Sequence, residues 1–174
     1  RHSMQGQLLE RLYDGDTTAL DRDLKRGLRG VPKVGRETPG TKPRGKLIRY
    51  PVGTVVTLTC DSRRVFAAAY SRLGNDLRAR ADAEDIRKTL DQVWAAAALY
   101  GQLAPIAVPL IGAGLSRQVR LSPEETIVMV AESFLKGCLE HVTVSRQLRI
   151  VLRPADLERV DMTRVARAVM ELVP

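Results

Sequence analysis

The sequence predicts an α/β layered domain with a mixed sheet, and three patterns along its 174 residues lead to this prediction. After Asp82, apolar side chains recur at helical spacing. Residues 105–111 form a short, wholly apolar run, which is typical of a strand buried on both faces. Residues 49–59 and 65–70 flank a polar turn and are rich in β-branched and small apolar residues, which predicts an antiparallel hairpin. Helices and strands that alternate in this way pack in layers.

The remaining segments continue the alternation. Residues 4–28 carry two apolar stripes separated by a break at 14–16, which predicts two helices. Residues 122–125, Ser-Pro-Glu-Glu, form a capping box with proline at the first helical position, so a helix should begin there. Residues 147–152 predict a strand, and a last helical region follows it. Trp94 falls on the apolar face of its helix and is assigned to the core.

Composition limits the class of protein. The hydrophobic share of 44% and the charged share of 28% are ordinary for a globular domain large enough to bury a core. Cys60 and Cys138 stand in apolar surroundings without metal-ligand spacing, so neither a zinc cluster nor a disulfide framework is expected. No run of about 20 apolar residues is present to span a bilayer, and no signal peptide is visible. We therefore expect a cytoplasmic protein without a metal site.

Much of the excess positive charge behind the net charge of +8 lies between Lys25 and Arg49, in and around a long basic loop over residues 30–45. The stretch mixes lysine and arginine with proline and glycine, a composition typical of a solvated mobile loop. Binding of phosphate groups is the alternative interpretation. Aromatic residues make up only 4% of the chain, so stacking platforms for single-stranded nucleic acid are scarce. No nucleic-acid partner is expected.

The strongest candidate site is the loop that leaves the buried strand at its carboxyl end. Ligands of α/β sheets bind at this edge. Gly112 and Gly114 let the backbone turn with positive φ and approach a ligand, so that successive N–H groups can form an anion-binding nest. Arg117 can add a charged donor. The alternative interpretation is a plain strand-to-helix turn, because a single Gly-x-Gly is a weak signal.

Four motifs in register resemble the macro domains of bacterial Thoeris anti-phage systems. They are Ser3-Met-Gln-Gly6 at a helix start, Tyr50-Pro-Val-Gly-Thr54 in a strand, the loop Pro109-Leu-Ile-Gly-Ala-Gly114, and Leu152-Arg-Pro-Ala-Asp-Leu157. The resemblance runs through the chain in order. It implies one macro domain over residues 1–174, with three layers, α/β/α, around a mixed central sheet. It also implies that the first strand or strands of this fold lie upstream of residue 1.

The resemblance implies a binding site for an ADP-ribose-type nucleotide. Backbone N–H groups of the loop would wrap the diphosphate, and the first helix would face the same phosphates with its free amides. Arg153 and Pro154 would flank the adenine, and Arg117 would lie near the distal ribose. The residues assigned to ligand binding are Ser3, Met4, Gln5, Gly6, Leu110, Ile111, Gly112, Ala113, Gly114, Leu115, Ser116, Arg117, Arg153 and Pro154. No catalytic residue, metal or cofactor is assigned.

The resemblance further implies a sensor rather than an enzyme. In this family a TIR-domain partner makes an ADP-ribose conjugate from NAD, and binding of that signal to the macro domain activates a linked defence effector. The alternative is an ADP-ribosyl hydrolase that acts on modified protein or nucleic acid. However, Ser116 and Arg117 stand where hydrolases of this fold usually carry an aromatic residue and a second glycine. A membrane would be reached only through upstream segments, and a ligand-driven homo-oligomer is left open.

Overall fold

Helices and short strands alternate along the chain, as the sequence predicts. The computed structural model describes residues 4–76, 78–111, 121–141 and 143–172. The helices are α1 (Met4–Leu12), α2 (Thr17–Gly27), α3 (Ala83–Tyr100), α4 (Pro123–Glu140), α5 (Pro154–Leu157) and α6 (Met162–Met170). The strands are β1 (Gly35–Arg36), β2 (Ile48–Arg49), β3 (Val55–Cys60), β4 (Arg63–Ala68), β5 (Arg72–Leu73), β6 (Ala79–Arg80), β7 (Ile106–Pro109) and β8 (Leu148–Val151). The α/β class is confirmed, but the single strand predicted over residues 49–59 is wrong, because residues 50–54 form a turn between β2 and β3 in which the N–H of Thr54 donates to the carbonyl of Pro51 at 3.2 Å.

The strands of the described residues pair two by two. β1 with β2, β3 with β4, and β5 with β6 are antiparallel pairs. β7 and β8 run parallel, and α4 lies between them in the sequence. A parallel pair needs such a crossover because its two strands start at the same edge. Antiparallel and parallel pairing are therefore both present, in separate two-stranded sheets among the described residues.

The hairpin of β3 and β4 separates two apolar clusters, because successive side chains of a strand point to opposite faces. On one face Val56 and Leu58 pack with Leu20 of α2. On the other face Phe66 packs against the core that α3 covers. The outer cluster comprises Leu20, Val56, Leu58 and Cys60, with Leu8, Leu9, Leu12, Tyr13, Leu24, Leu28, Val65 and Ala67 around them. The main core comprises Ile86, Leu90, Trp94, Ala97, Ile106, Val108, Met129, Val130, Phe134 and Val144. The layers are therefore helix, hairpin, helix.

The main core is closed where α3 packs on α4. Trp94 lies at its centre with no exposed surface. The indole Nε1–H donates to Ser133 Oγ at 2.8 Å, and the ring meets Phe134 edge-on with the two centroids 5.3 Å apart. The helices approach this closely because Gly137 has no side chain, since a Cβ there would lie 2.8 Å from the Cβ of Trp94. The assignment of Trp94 to the core is confirmed.

The helices begin where local side chains can cap them. Asp16 accepts two backbone N–H groups at the start of α2, and Asp82 accepts the N–H of Asp85 at the start of α3. The carboxylate of Asp85 is buried and takes two bonds from Arg72, at 2.5 and 2.7 Å, which fasten β5 to α3. Within the described ranges, no helix combines the length and the apolar character that a bilayer crossing requires.

The basic loop is tied into the fold rather than solvated throughout. β1 and β2 pair across it. Lys42 is only 6% exposed, and its ammonium donates to the carbonyl of Lys46 at 2.7 Å. The ammonium groups of Lys46 and Lys25 both contact Asp21, and these two partners hold the pKa of Asp21 below its ordinary value. Part of the positive charge in this region is therefore already engaged within the protein.

Arg49 connects the basic loop to the β5–β6 pair. Its guanidinium donates to Glu37 Oε1, to the carbonyl of Leu73 and to Asn75 Oδ1, each at 2.6 Å. The bond from Arg49 holds the pKa of Glu37 below its ordinary value. The three acceptors lie 12, 24 and 26 residues away in the sequence. No local pattern could have predicted these contacts, which link Glu37 of the basic loop to Arg49 and through it to the β5–β6 pair.

Candidate functional site

The carboxyl ends of β7 and β8 meet at one edge of the parallel pair. The two strands end in register, and the N–H of Leu110 donates to the carbonyl of Val151 at 2.9 Å. The residues that follow β7 are Leu110 and Ile111, and those that follow β8 lead to Arg153 and Pro154. Because the two strands end in register, these two short segments lie side by side. Four of the predicted site residues are brought together at this carboxyl edge.

The Gly-x-Gly loop lies outside the described residues, which stop at Ile111 and resume at Leu121. Six predicted site residues fall in this range, namely Gly112, Ala113, Gly114, Leu115, Ser116 and Arg117. Their contact with a diphosphate stays a prediction, as does that of Ser3, which is also outside the described residues. The two ends of the loop are fixed, because Ile111 and Leu121 both pack against the main core.

The predicted residues Met4, Gln5 and Gly6 form the first turn of α1. This helix packs through Leu8 and Leu9 on the outer cluster. The outer cluster covers the hairpin face that points away from the main core, to which β7 and β8 contribute. The structure thus anchors α1 to the hairpin, and the approach of its first turn to the phosphates stays a prediction.

The N-terminus of α4, which follows the loop, is closed by its own side chains. Ser122 Oγ accepts the N–H of Glu125 at 3.1 Å, and the Glu125 carboxylate accepts the N–H of Ser122 at 2.7 Å, so the capping box is confirmed. Glu124 accepts the N–H of Asp161 at 3.0 Å, which holds the pKa of Glu124 below its ordinary value. The carboxylates of Glu124 and Glu125 lie in the first turn of α4, where acidic side chains complement the helix dipole. The backbone N–H groups of Ser122 and Glu125 at the start of α4 therefore already have acceptors within the protein.

Arg153 is held at the carboxyl edge by Asp156, a carboxylate that the sequence analysis missed. Nε of Arg153 donates to Oδ2 of Asp156 at 2.6 Å, and Nη2 donates to Oδ1 at 2.9 Å. Asp156 is 8% exposed, whereas the Arg153 side chain is 65% exposed. These charged hydrogen bonds lower the pKa of Asp156 and raise that of Arg153. The sequence does contain a sign of this ion pair, because an arginine and an aspartate stand three residues apart directly after a predicted strand.

One comparison with known proteins decides the family. A family model described as "Thoeris protein ThsA, Macro domain" matches residues 1–153, which is well over half of the chain. The chain belongs to this macro-domain family. No curated protein gives a significant match. The family match ends at Arg153, so α5 and α6 of this macro domain lie beyond it.

Membership of the family supports a role for this macro domain in sensing a nucleotide related to ADP-ribose. The described part of the carboxyl edge offers backbone at the end of a strand and the side chain of Arg153, which is 65% exposed. Elsewhere in the described ranges, no cluster of three or more His, Cys, Asp or Glu side chains is placed to hold a metal ion. His141 serves as the C-cap of α4, with its N–H bonded to the carbonyl of Gly137 at 3.0 Å.

Proposed function

We propose that this macro domain is a sensor that binds an ADP-ribose-containing nucleotide derived from NAD at the carboxyl edge. The observation that carries this placement is the parallel register of β7 and β8, because it sets the start of the Gly-x-Gly loop beside Arg153 and Pro154. Ligands of α/β sheets bind at such edges. Membership of the family supports the class of nucleotide.

In this proposal, residues 112–117 wrap the diphosphate with their backbone N–H groups, since two glycines let the chain come close to it. The charge of the diphosphate is met by these amides and by Arg117, because the end of α4 is already occupied by its own carboxylates. Arg153 and Pro154 flank the adenine. Leu110 and Ile111 lead the backbone into the site.

The signal in this proposal is an ADP-ribose conjugate made by a TIR-domain enzyme, and its binding activates a defence effector linked to the macro domain. Arg117 lies near the distal ribose and favours a polar or anionic group attached there, because a guanidinium makes strong charge-assisted hydrogen bonds. Light scattering with and without the ligand tests whether the signal is passed on through a change in oligomeric state.

ADP-ribose is expected to raise the melting temperature of the full chain. A ligand that binds only the folded state stabilises it by about 2.7 kcal/mol at one hundred times its dissociation constant. For a domain of this size, that free energy corresponds to roughly 5–10 °C. UDP-glucose has a similar charge but a different base, so it serves as the matched ligand and should shift the melting temperature less. If neither ADP-ribose nor its conjugates raise the melting temperature, the proposed function is wrong.

The macro domain is expected to bind ADP-ribosyl groups without hydrolysing them. A general base must accept a proton, but the carboxylate described at this edge, Asp156, has both oxygens bonded to Arg153 and a lowered pKa. Incubation with ADP-ribosylated protein should therefore release ADP-ribose at the background rate. Release well above background that Gly114→Glu abolishes would favour the ADP-ribosyl hydrolase instead.

A further inference from the structure

We propose that Asp156 is a positioning residue for nucleotide recognition, which holds the guanidinium of Arg153 as a fixed, flat surface on which the base of the ligand stacks. This inference rests on the proposed function and deepens it, because it assigns a role to Asp156, which that function leaves without one. Asp156 lies beyond the residues that the family model matches.

The pair is fixed before any ligand arrives. Two hydrogen bonds, of 2.6 and 2.9 Å, join one edge of the Arg153 guanidinium to both oxygens of Asp156. The backbone is restricted as well, since Pro154 follows at the first position of α5 and the N–H of Asp156 donates to the carbonyl of Arg153 at 2.9 Å. An exposed arginine ordinarily samples many rotamers, and ordering it on binding lowers affinity. Here the buried Asp156 already holds the Arg153 guanidinium in one position, so little side-chain entropy remains to be lost when the ligand binds.

The same geometry favours a base over a phosphate as the partner of Arg153. A guanidinium grips a phosphate through two adjacent N–H groups, and one of its two such edges, formed by Nε and Nη2, is already bonded to Asp156, so a phosphate could be gripped only through the edge formed by Nη1 and Nη2. The ion pair also carries no net charge, so it attracts an anion only weakly. The flat face of a guanidinium still stacks on aromatic rings and nucleobases. With 65% of the side chain exposed at the exit from β8, that face is the surface a bound base would meet.

The test compares dissociation constants for ADP-ribose, measured by calorimetry, between the full chain and three of its variants. Asp156→Asn keeps the size of the side chain but removes the charge pairing, and we expect about tenfold weaker binding, within the range for loss of one stacked base. Arg153→Lys keeps the positive charge but loses the flat face, so it should weaken binding by a similar factor. The double variant should bind no more weakly than Arg153→Lys alone, because Asp156 acts only through Arg153.

A spectroscopic readout and a matched control separate positioning from a general effect on the fold. Etheno-ADP-ribose reports stacking of its base, so its fluorescence change on binding should be lost in Asp156→Asn. Asp76→Asn breaks a comparable aspartate–arginine pair, with Arg80, at the β5–β6 pair and should leave the dissociation constant unchanged. The melting temperature of each variant shows whether it is folded. If Asp156→Asn is not folded, Arg153→Lys tests the same stacking surface.

Each outcome decides the inference. Tenfold losses in both single variants, without additivity in the double variant, support it. Unchanged binding in Asp156→Asn or Arg153→Lys, or additive losses, overturns it while the proposed function stands, because the unsubstituted chain still binds ADP-ribose. If the unsubstituted chain does not bind ADP-ribose, the proposed function itself has failed.

Discussion

Gly114→Glu is expected to abolish binding of ADP-ribose and its conjugates while leaving the chain folded. A side chain at this position would occupy the space of the diphosphate, and its carboxylate would repel the phosphates. A residue other than glycine also resists the positive φ that such a turn uses. Ile111 and Leu121, which flank residues 112–120 in the sequence, both pack against the main core. Binding measured by calorimetry should fall below detection.

The matched control for this variant is Gly40→Glu. It adds the same charge to the basic loop, where an added Cβ would meet no atom closer than the hydroxyl oxygen of Thr38 at 3.9 Å. Exposed charges act mainly within about 8–10 Å at physiological salt, so this control should change affinity little. Should Gly114→Glu bind as tightly as Gly40→Glu, the Gly-x-Gly loop is not the diphosphate site.

Elements whose cause is local could be predicted from the sequence. The start of α4 follows from Ser122 and Glu125, which bond to each other's backbone within a single turn. The start of α3 follows in the same way from Asp82. The β3–β4 hairpin follows from strand propensity and a polar turn, and its two faces follow from alternation along the strands. In each case the residues that decide the structure are neighbours in the sequence.

Contacts between distant segments could not be predicted in this way. The burial of Lys42 depends on how the loop folds back between β1 and β2, and a lysine in a stretch of glycine and proline gives no sign of it. The three bonds of Arg49 depend on the placement of the β5–β6 pair. These contacts change the electrostatic interpretation, because the ammonium groups of Lys42 and Lys46 already have partners within the protein.

The candidate site was predicted in part. Parallel strands end at one edge, so the nearness of Ile111 to Arg153 follows from recognising two buried strands joined by a helix. Arg153 and Pro154 were assigned to the site, whereas Asp156, which stands in the same motif, was not. Asp156 follows a proline in a short helical turn, and its carboxylate there resembles an ordinary first-turn acid. Only the bond distances show that it holds the guanidinium instead.

Trp94→Ala is expected to destabilise the fold by about 3–5 kcal/mol, the range for truncation of a large buried aromatic side chain. The indole is fully buried between α3 and α4, so its removal leaves a cavity and breaks the edge-on contact with Phe134. It also leaves the hydroxyl of Ser133 without its indole donor. Total stabilities of domains are about 5–15 kcal/mol, so urea unfolding should show a midpoint shifted far to lower concentration. Tyr100→Ala, on the same helix but 51% exposed, is the control and should shift the midpoint little.

A substitution at Gly137 provides a second, independent test of the packing between α3 and α4. A Cβ at position 137 would lie 2.8 Å from the Cβ of Trp94 and 3.0 Å from two atoms of its ring, so Gly137→Leu should destabilise the unsubstituted chain by overpacking, by about 1–3 kcal/mol. In the Trp94→Ala background the ring is gone, and the leucine side chain can enter the cavity that it leaves. The two substitutions should therefore be strongly coupled, with the double variant more stable than the sum of the single losses predicts. Additive losses would mean that the two positions do not meet across the α3–α4 contact and that the packing described for the main core is wrong.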